Sequence, residues 1–197
     1  MTLKKIVPVL LAAGSSERLG FPRPLAVFGR KTALAIAVEN CAGLARPIVV
    51  LGCDAKKIRP AVPRGARLLI NRRWRTGQLS SLLCALRHVP AGAAILLYPV
   101  DQPLLRRQTI RRLVRAFRAR PAHQQIVVPR HGGQTGHPLL IAAGVLPEFF
   151  RVKTAREVIY REPRRVRQVA VRTTAIFADF ATPESYRACL RKFLARR

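Results

Sequence analysis

The first chemistry in the sequence is carried by the segment 11–25, Leu-Ala-Ala-Gly-Ser-Ser-Glu-Arg-Leu-Gly-Phe-Pro-Arg-Pro-Leu. Gly14 and the small residues around it let a backbone come close to a phosphate, and Arg18 and Arg23 supply charge-assisted donors. Gly14 and Gly20 are wrongly spaced for Gly-x-Gly-x-x-Gly, and no Gly-Lys-Ser/Thr ending follows. Neither the dinucleotide fingerprint nor the Walker A loop therefore accounts for the segment. Asp101 is the second candidate. It follows the apolar run 94–100 and is one of nine acidic residues against 37 Lys and Arg. A carboxylate in such surroundings is placed to hold Mg²⁺, which takes one or two carboxylates together with phosphate oxygens. Pairing with an arginine, or capping the helix that follows, are the other roles the position allows. His88, His123 and His131 have no carboxylate or cysteine at ligand spacing. Cys41, Cys53, Cys84 and Cys189 form no Cys-x-x-Cys, and each lies in an apolar segment, so they are expected to be small buried thiols.

These residues need elements to hold them. Short apolar runs predict strands at Ile6–Ala12, Ile48–Leu51, Arg67–Ile70, Ala94–Tyr98 and Ile126–Pro129. Between them, Thr32–Cys41, Ala55–Ala61, Leu79–Arg87 and Leu104–Arg120 carry apolar residues at helical spacing. In the last, Ile110, Leu113, Val114 and Phe117 form a stripe with arginines opposite. The alternation predicts an α/β, Rossmann-like, mostly parallel sheet covered by helices on both faces. After Pro129 a Gly-rich turn, a strand at Pro138–Ile141 and a helix ending near Phe150 are expected. Strands at Val166–Val171 and Ala175–Ala178 follow, giving a short antiparallel elaboration near the C-terminus. Thr182, Pro183 and Glu184 mark the start of a final helix. In such sheets ligands bind beyond the carboxyl ends of the strands, where the 11–25 loop and Asp101 both fall.

With 197 residues, 49% of them hydrophobic, the chain suits one domain over 1–197 with a sizeable core, and a disordered basic tail is excluded. The apolar run 6–13 is too short to span a bilayer. It reads as a buried strand rather than a signal peptide, so a cytoplasmic protein without membrane contact is expected. Lys4 and Lys5 are a solvated lead-in to it. The net charge of +28 favours anionic partners, be they nucleotides, phosphate esters, nucleic acid or an acidic protein, or else marks a generally basic solvated surface. No nucleic-acid-reading motif is visible, so no specific nucleic-acid partner is expected.

Leu-Ala-Ala-Gly-x-Ser-x-Arg-Leu-Gly-x-Pro-Arg resembles the signature loop of the nucleotidyltransferases that attach a nucleotide to molybdopterin. Asn71-x-x-Trp74-x-x-Gly77-x-x-Ser80-Ser81-Leu82 is similar to that family's second motif, and Asp101-Gln102-Pro103-Leu104 to its metal motif. Gly136-His137-Pro138 and Thr182-Pro183-Glu184 match later landmarks. The Ala-Ala-Gly form and Asp-Gln-Pro resemble the cytidylyltransferase branch. The resemblance implies transfer of CMP from CTP to the phosphate of the molybdopterin cofactor, with release of pyrophosphate. It implies that Arg18 and Arg23 hold the triphosphate, and that Asp101, with Asp179 as a second candidate, holds Mg²⁺. Main-chain groups of Leu11, Ala12, Ala13 and Gly14 meet the base and ribose, while Asn71, Gly77 and Ser80 line the nucleotide pocket. His137 is expected to bind the acceptor or to be structural, because a phosphate nucleophile needs no general base near neutral pH. Trp74 either stacks on a ring of the substrate or packs under the loop. A molybdoenzyme or its accessory protein is the implied partner. The chain departs from the family pattern twice, with Arg23 in place of a lysine and Ala181 in place of a second acid. Guanylyl transfer, another phosphorylated acceptor, or a degenerate homologue that binds polyanions or a partner protein are the alternatives.

Overall fold

The computed structural model describes residues 5–196. Its first half runs β1 (Ile6–Ala12), β2 (Val27–Phe28), β3 (Lys31–Thr32), α1 (Ala33–Asn40), β4 (Ile48–Leu51), α2 (Ala55–Ile58), β5 (Arg67–Ile70) and α3 (Gln78–Leu86). The second runs β6 (Ala94–Pro99), α4 (Arg107–Arg118), β7 (Ile126–His131), β8 (Gln134–Thr135), β9 (Leu139–Ile141), α5 (Ala155–Tyr160), β10 (Val166–Ala170) and α6 (Pro183–Leu194). The main sheet has the order β10-β7-β9-β6-β1-β4-β5, with β8 beside β7. β1 lies at its centre, parallel to β4 and β6.

Side chains of β1 alternate between two cores, as the pleat requires. Ile6, Leu10 and Ala12 pack with residues of α1, α4 and α6, while Val7, Val9 and Leu11 pack with residues of α3 and α5 on the other face. Helices on both faces explain why the strand is apolar throughout rather than every second residue. The stripe Ile110, Leu113, Val114 and Phe117 of α4 is buried as the spacing predicts. Thr32 caps α1 by accepting from the Ala35 N–H, and Thr182 caps α6 by accepting from the Ser185 N–H.

The antiparallel part is built differently from expectation. β9 runs antiparallel to both β6 and β7, and β8 to β7. Val166–Val171 instead supplies β10, which pairs parallel to β7. Ala175–Ala178 is not a strand. The Thr173 hydroxyl accepts from the Ala175 N–H and starts a 3-10 turn over Thr174–Ile176, a local bond that competes with a sheet ladder. The segment ending near Phe150 is a 3-10 helix, Ala143–Arg151, with Pro147 inside it and so without a donor at that position. The hairpin β2–β3, the pair β7–β8 and α5 carried no sequence signal strong enough to place them. Of the cysteines, Cys41 and Cys189 are buried as expected, whereas Cys53 and Cys84 are half-buried. Lys5 is exposed, and Lys4 lies outside the described residues. Among the described residues no helix is long and apolar enough to cross a membrane.

One buried ion pair fastens the elaboration to the sheet. Arg165 donates through Nη1 to Glu148 Oε1 at 2.7 Å and through Nη2 to Oε2 at 3.0 Å, and also to the Val158 carbonyl. Removing one partner of a buried pair costs about 3–5 kcal/mol. The Glu148 side chain is 27% exposed and keeps Arg161 at 3.6 Å, which moderates the loss. Arg165→Met is therefore expected to lower unfolding stability by about 3 kcal/mol. Urea unfolding measures it, and a loss under about 1 kcal/mol would place the pair with ordinary surface bridges.

Candidate active site

β1 and β6 end side by side, with Leu11 opposite Pro99 in the register. Beyond their carboxyl ends opens a cleft of about 350 Å³. One wall is Leu11, Ala12, Ala13, Gly14 and Ser15; a second carries Arg23, Pro24 and Pro99 to Asp101; a third carries Trp74, Arg75, Gly77, Gln78 and Ser81.

Arg23 closes the loop on itself. Its Nη1 donates to Asp101 Oδ2 at 2.9 Å, its Nη2 to the Ser15 carbonyl at 3.0 Å, and its main-chain N–H to Ser16 Oγ at 2.9 Å. Gly14 leaves room for that guanidinium, since a Cβ there would stand 3.0 Å from Nη2. The arginine pairing that the sequence allowed for Asp101 is thus present. Arg18 sits on the exposed 3-10 turn Glu17–Leu19, outside the cleft lining.

The third wall is held from behind. Asn71, 5% exposed, donates to Ser80 Oγ at 2.8 Å and Ser81 Oγ at 3.0 Å, and accepts from the Arg73 N–H at 2.9 Å. Ser80 Oγ in turn lies 2.8 Å from the Gly77 carbonyl. Asn71 and Ser80, expected to line the pocket, stand directly behind the residues that line the cleft: their polar groups are engaged with each other and with this backbone, and so they shape the wall. Gly77, at φ +106° and ψ 172°, lines the cleft in a conformation that is essentially glycine's alone. Trp74 packs against Gly52, where a Cβ would stand 2.5 Å from the Trp74 Cβ. The Arg75 guanidinium lies 4.5 Å from the Trp74 ring centroid. Arg75, Gln78 and Ser81 were missed by the sequence reading. Arg75 was hidden in the basic cluster 72–75, which has no periodicity to show which member points inward.

Residues 8–172 match the MobA-like NTP transferase domain. The chain belongs to the MobA-like NTP transferase family. It is 32% identical over 150 residues to nicotine blue oxidoreductase of Paenarthrobacter nicotinovorans, covering 72% of this chain and 73% of that one. The structure of Rv0371c from Mycobacterium tuberculosis H37Rv in complex with manganese matches at 29% identity and TM-score 0.79, over 96% of this chain and 100% of that one. Molybdopterin-guanine dinucleotide biosynthesis protein A of Archaeoglobus fulgidus shares the fold, with TM-score 0.72 at 14% identity, over 97% of this chain and 100% of that one. The protein is accordingly a nucleotidyltransferase by family.

On this MobA-like scaffold one other acidic group, Asp179, acts on Asp101. Burial pushes its carboxyl above the ordinary range; Arg23 opposes that shift, and the Asp179 charge adds to it. Asp179 is exposed and also acts on His137, whose imidazole is pushed down by burial. His137 is thus neutral near pH 7, and its buried Nδ1 has no hydrogen-bond partner among the described residues. The main-chain N–H of His137 and the side chain of Gln102 both donate to the Ile176 carbonyl, at 3.0 and 3.1 Å. Gly136 lets that carbonyl approach, because a Cβ would stand 2.3 Å from it. The turn 174–176 thereby ties the Asp101 loop to His137. Ala181 uses its N–H on Ser185 Oγ at 3.0 Å, as part of the α6 cap.

These donors suit a hard divalent cation that brings most of its own ligands. Among the described residues no group of three or more His, Cys, Asp and Glu side chains is assembled that could hold a metal ion, and the Asp179 charge acts repulsively on the Asp101 carboxyl. Mg²⁺ takes one or two carboxylates, completes its octahedron with water and phosphate oxygens, and would relieve that repulsion. Asp101, paired with Arg23, is the carboxylate that lines the cleft, while Asp179 is exposed and lies outside the lining.

Proposed function

We propose that the protein, acting as one domain over 1–197, transfers CMP from CTP to the phosphate of the molybdopterin cofactor and releases pyrophosphate. One observation carries the reading: the Ala12-Ala13-Gly14 backbone, Arg23 and Asp101 meet in one cleft at the carboxyl ends of β1 and β6. An acceptor phosphate oxygen attacks the α-phosphorus of CTP in line, and the bond to the β-phosphate oxygen breaks. Because the nucleophile is already ionised, the chain's residues position groups and neutralise charge rather than move a proton. Backbone groups of Leu11 to Gly14 receive the base and ribose. Arg23, paired with Asp101, lines the side of the cleft that receives the phosphates, Arg18 adds positive charge from the exposed turn next to the loop, and His137 faces the acceptor. Asp101, with Asp179 as the second candidate, would hold Mg²⁺, which would neutralise charge on the triphosphate. The Ala12-Ala13-Gly14 form of the loop supports CTP as the donor. The molybdopterin acceptor is supported by the shared fold with the A. fulgidus protein, and delivery to a molybdoenzyme or its accessory protein in the cytoplasm follows from that acceptor.

Binding to the native state at a hundredfold excess over Kd stabilises by about 2.7 kcal/mol, which for a chain this size is about 5–10 °C in Tm. CTP with Mg²⁺ is expected to produce such a shift, and GTP with Mg²⁺ a smaller one. Equal shifts, or a larger one with GTP, would sink the cytidine assignment.

A second reading has its own observation. The 32% identity to nicotine blue oxidoreductase exceeds the 14% to the molybdopterin-guanine dinucleotide protein. Oxidoreduction of nicotine blue, the activity that relative's name states, is the corresponding reaction. Pyrophosphate release from CTP and molybdopterin supports the first reading. A protein-dependent change in nicotine blue absorbance with an added reductant, without pyrophosphate, supports the second.

A further inference from the structure

Phosphate binding in this cleft needs a cation that is free to receive it, and the fold has committed the obvious one. Arg23 is paired to Asp101 and to the Ser15 carbonyl. Arg18 lies on the exposed turn outside the lining. Arg75 is different. It lines the cleft and makes no ion pair among the described residues.

Its placement is also built. The segment bearing it is pinned by Asn71 on Ser80, Ser81 and the Arg73 N–H, and by Thr76 Oγ1 donating to the Arg73 carbonyl at 2.8 Å. Trp74 is seated against the bare backbone of Gly52 and offers its ring to the guanidinium at 4.5 Å. Contact with the ring face holds the exposed guanidinium over Trp74, and none of its N–H groups is engaged in a hydrogen bond or ion pair among the described residues, so its planar fork is available to phosphate oxygens. An arginine held this way has less side-chain freedom to lose on binding than one waving in solvent.

We propose that Arg75, stacked on Trp74, is the oligophosphate-binding cation of the cleft. It receives the charged tail of the ligand opposite Arg23 and Asp101, whether that tail belongs to a nucleoside triphosphate or to an inorganic oligophosphate. The link to nucleotide transfer rests on the function proposed above; the anion site itself does not.

Inorganic tripolyphosphate tests the site without a nucleotide. Calorimetry at about 0.15 M ionic strength keeps diffuse surface attraction screened. The wild-type protein is expected to bind it, and Arg75→Ala to weaken binding at least tenfold, equivalent to about 1.4 kcal/mol. Arg75→Lys keeps the charge but not the planar stack, and should fall between them. Arg111→Ala removes the same charge from α4, outside the cleft, and should leave the affinity unchanged. Melting temperatures of the unliganded variants check that the fold persists. Trp74 is the single tryptophan, so tripolyphosphate should also change the wild-type emission. No binding to the wild type, or equal losses in Arg75→Ala and Arg111→Ala, overturns the proposal. CTP then separates the two claims. Displacement of tripolyphosphate by CTP supports both. Tripolyphosphate binding that CTP does not compete for leaves the Arg75 site standing and removes the nucleotide reading. In turnover, Arg75→Ala should raise KM for CTP about tenfold with little change in kcat, the pattern of lost ground-state binding.

Discussion

Asp101→Asn is expected to reduce pyrophosphate release about 10²–10³-fold, the scale for removing one preorganised electrostatic group from a transition-state site. It is also expected to leave the protein at least as stable as the wild type at pH 7. The two outcomes have one cause. Burial and the Asp179 charge raise the Asp101 carboxyl more than Arg23 lowers it. A carboxyl whose folded pKa lies above its unfolded value disfavours the folded state once it ionises. That penalty is absent below the unfolded value and fully present above the folded one. Asparagine keeps the shape without the charge, so the variant's Tm should match or exceed the wild type at neutral pH. The difference should close on acidification below the carboxylate range. Thermal scans from pH 3 to 8 beside a turnover assay measure both. Full turnover in the variant would show that the Arg23–Asp101 pair is only architectural. A large loss of stability at pH 7 would show that the pair holds the loop together.

Gly52→Ala is expected to damage two walls of the cleft with a single methyl. The added Cβ would stand 2.5 Å from the Trp74 Cβ and 2.6 Å from the Ala13 carbonyl oxygen. That carbonyl already accepts from the Cys53 N–H at 3.0 Å, so it has little room to retreat. Overpacking of this kind costs about 1–3 kcal/mol. It also pushes on two walls of the cleft at once, since Ala13 and Trp74 both line it. Tripolyphosphate affinity and turnover should fall together, at least tenfold, with a shift in Trp74 emission reporting the displaced ring. Gly65, whose added Cβ meets nothing within 4 Å, is the control that should tolerate alanine with little effect. Unchanged affinity in Gly52→Ala would mean that the Trp74 wall moves freely and is not preorganised.

The sequence by itself determined the central sheet, the helices on both faces and the strand ends from which the loop 11–25 and Asp101 project. Four-to-seven-residue apolar runs such as Ile48–Leu51 have no competing pattern, and the 110–117 stripe fits only a helix with one buried side. The loop 11–25 and Asp101 were legible because each ends a strand, and strand ends are where this architecture opens. Only the tertiary structure decided which way individual side chains were engaged. Arg23 and Asp101 are 78 residues apart, and no local pattern couples them. The family resemblance put Asn71 in the pocket; that it is buried behind the wall and bonded to Ser80 and Ser81 was visible only in the structure. Ala175–Ala178 had the composition of a strand, but the Thr173 hydroxyl and the demand for the Ile176 carbonyl from Gln102 and His137 turned it into a connector. Arg75 was one cation in a basic cluster until the Gly52 backbone gave Trp74 a seat and Trp74 gave the guanidinium a plane. Periodicity reports which face of an element is buried. Which polar group meets which is settled by contacts between segments far apart in the chain, and those exist only once the sheet has closed them together.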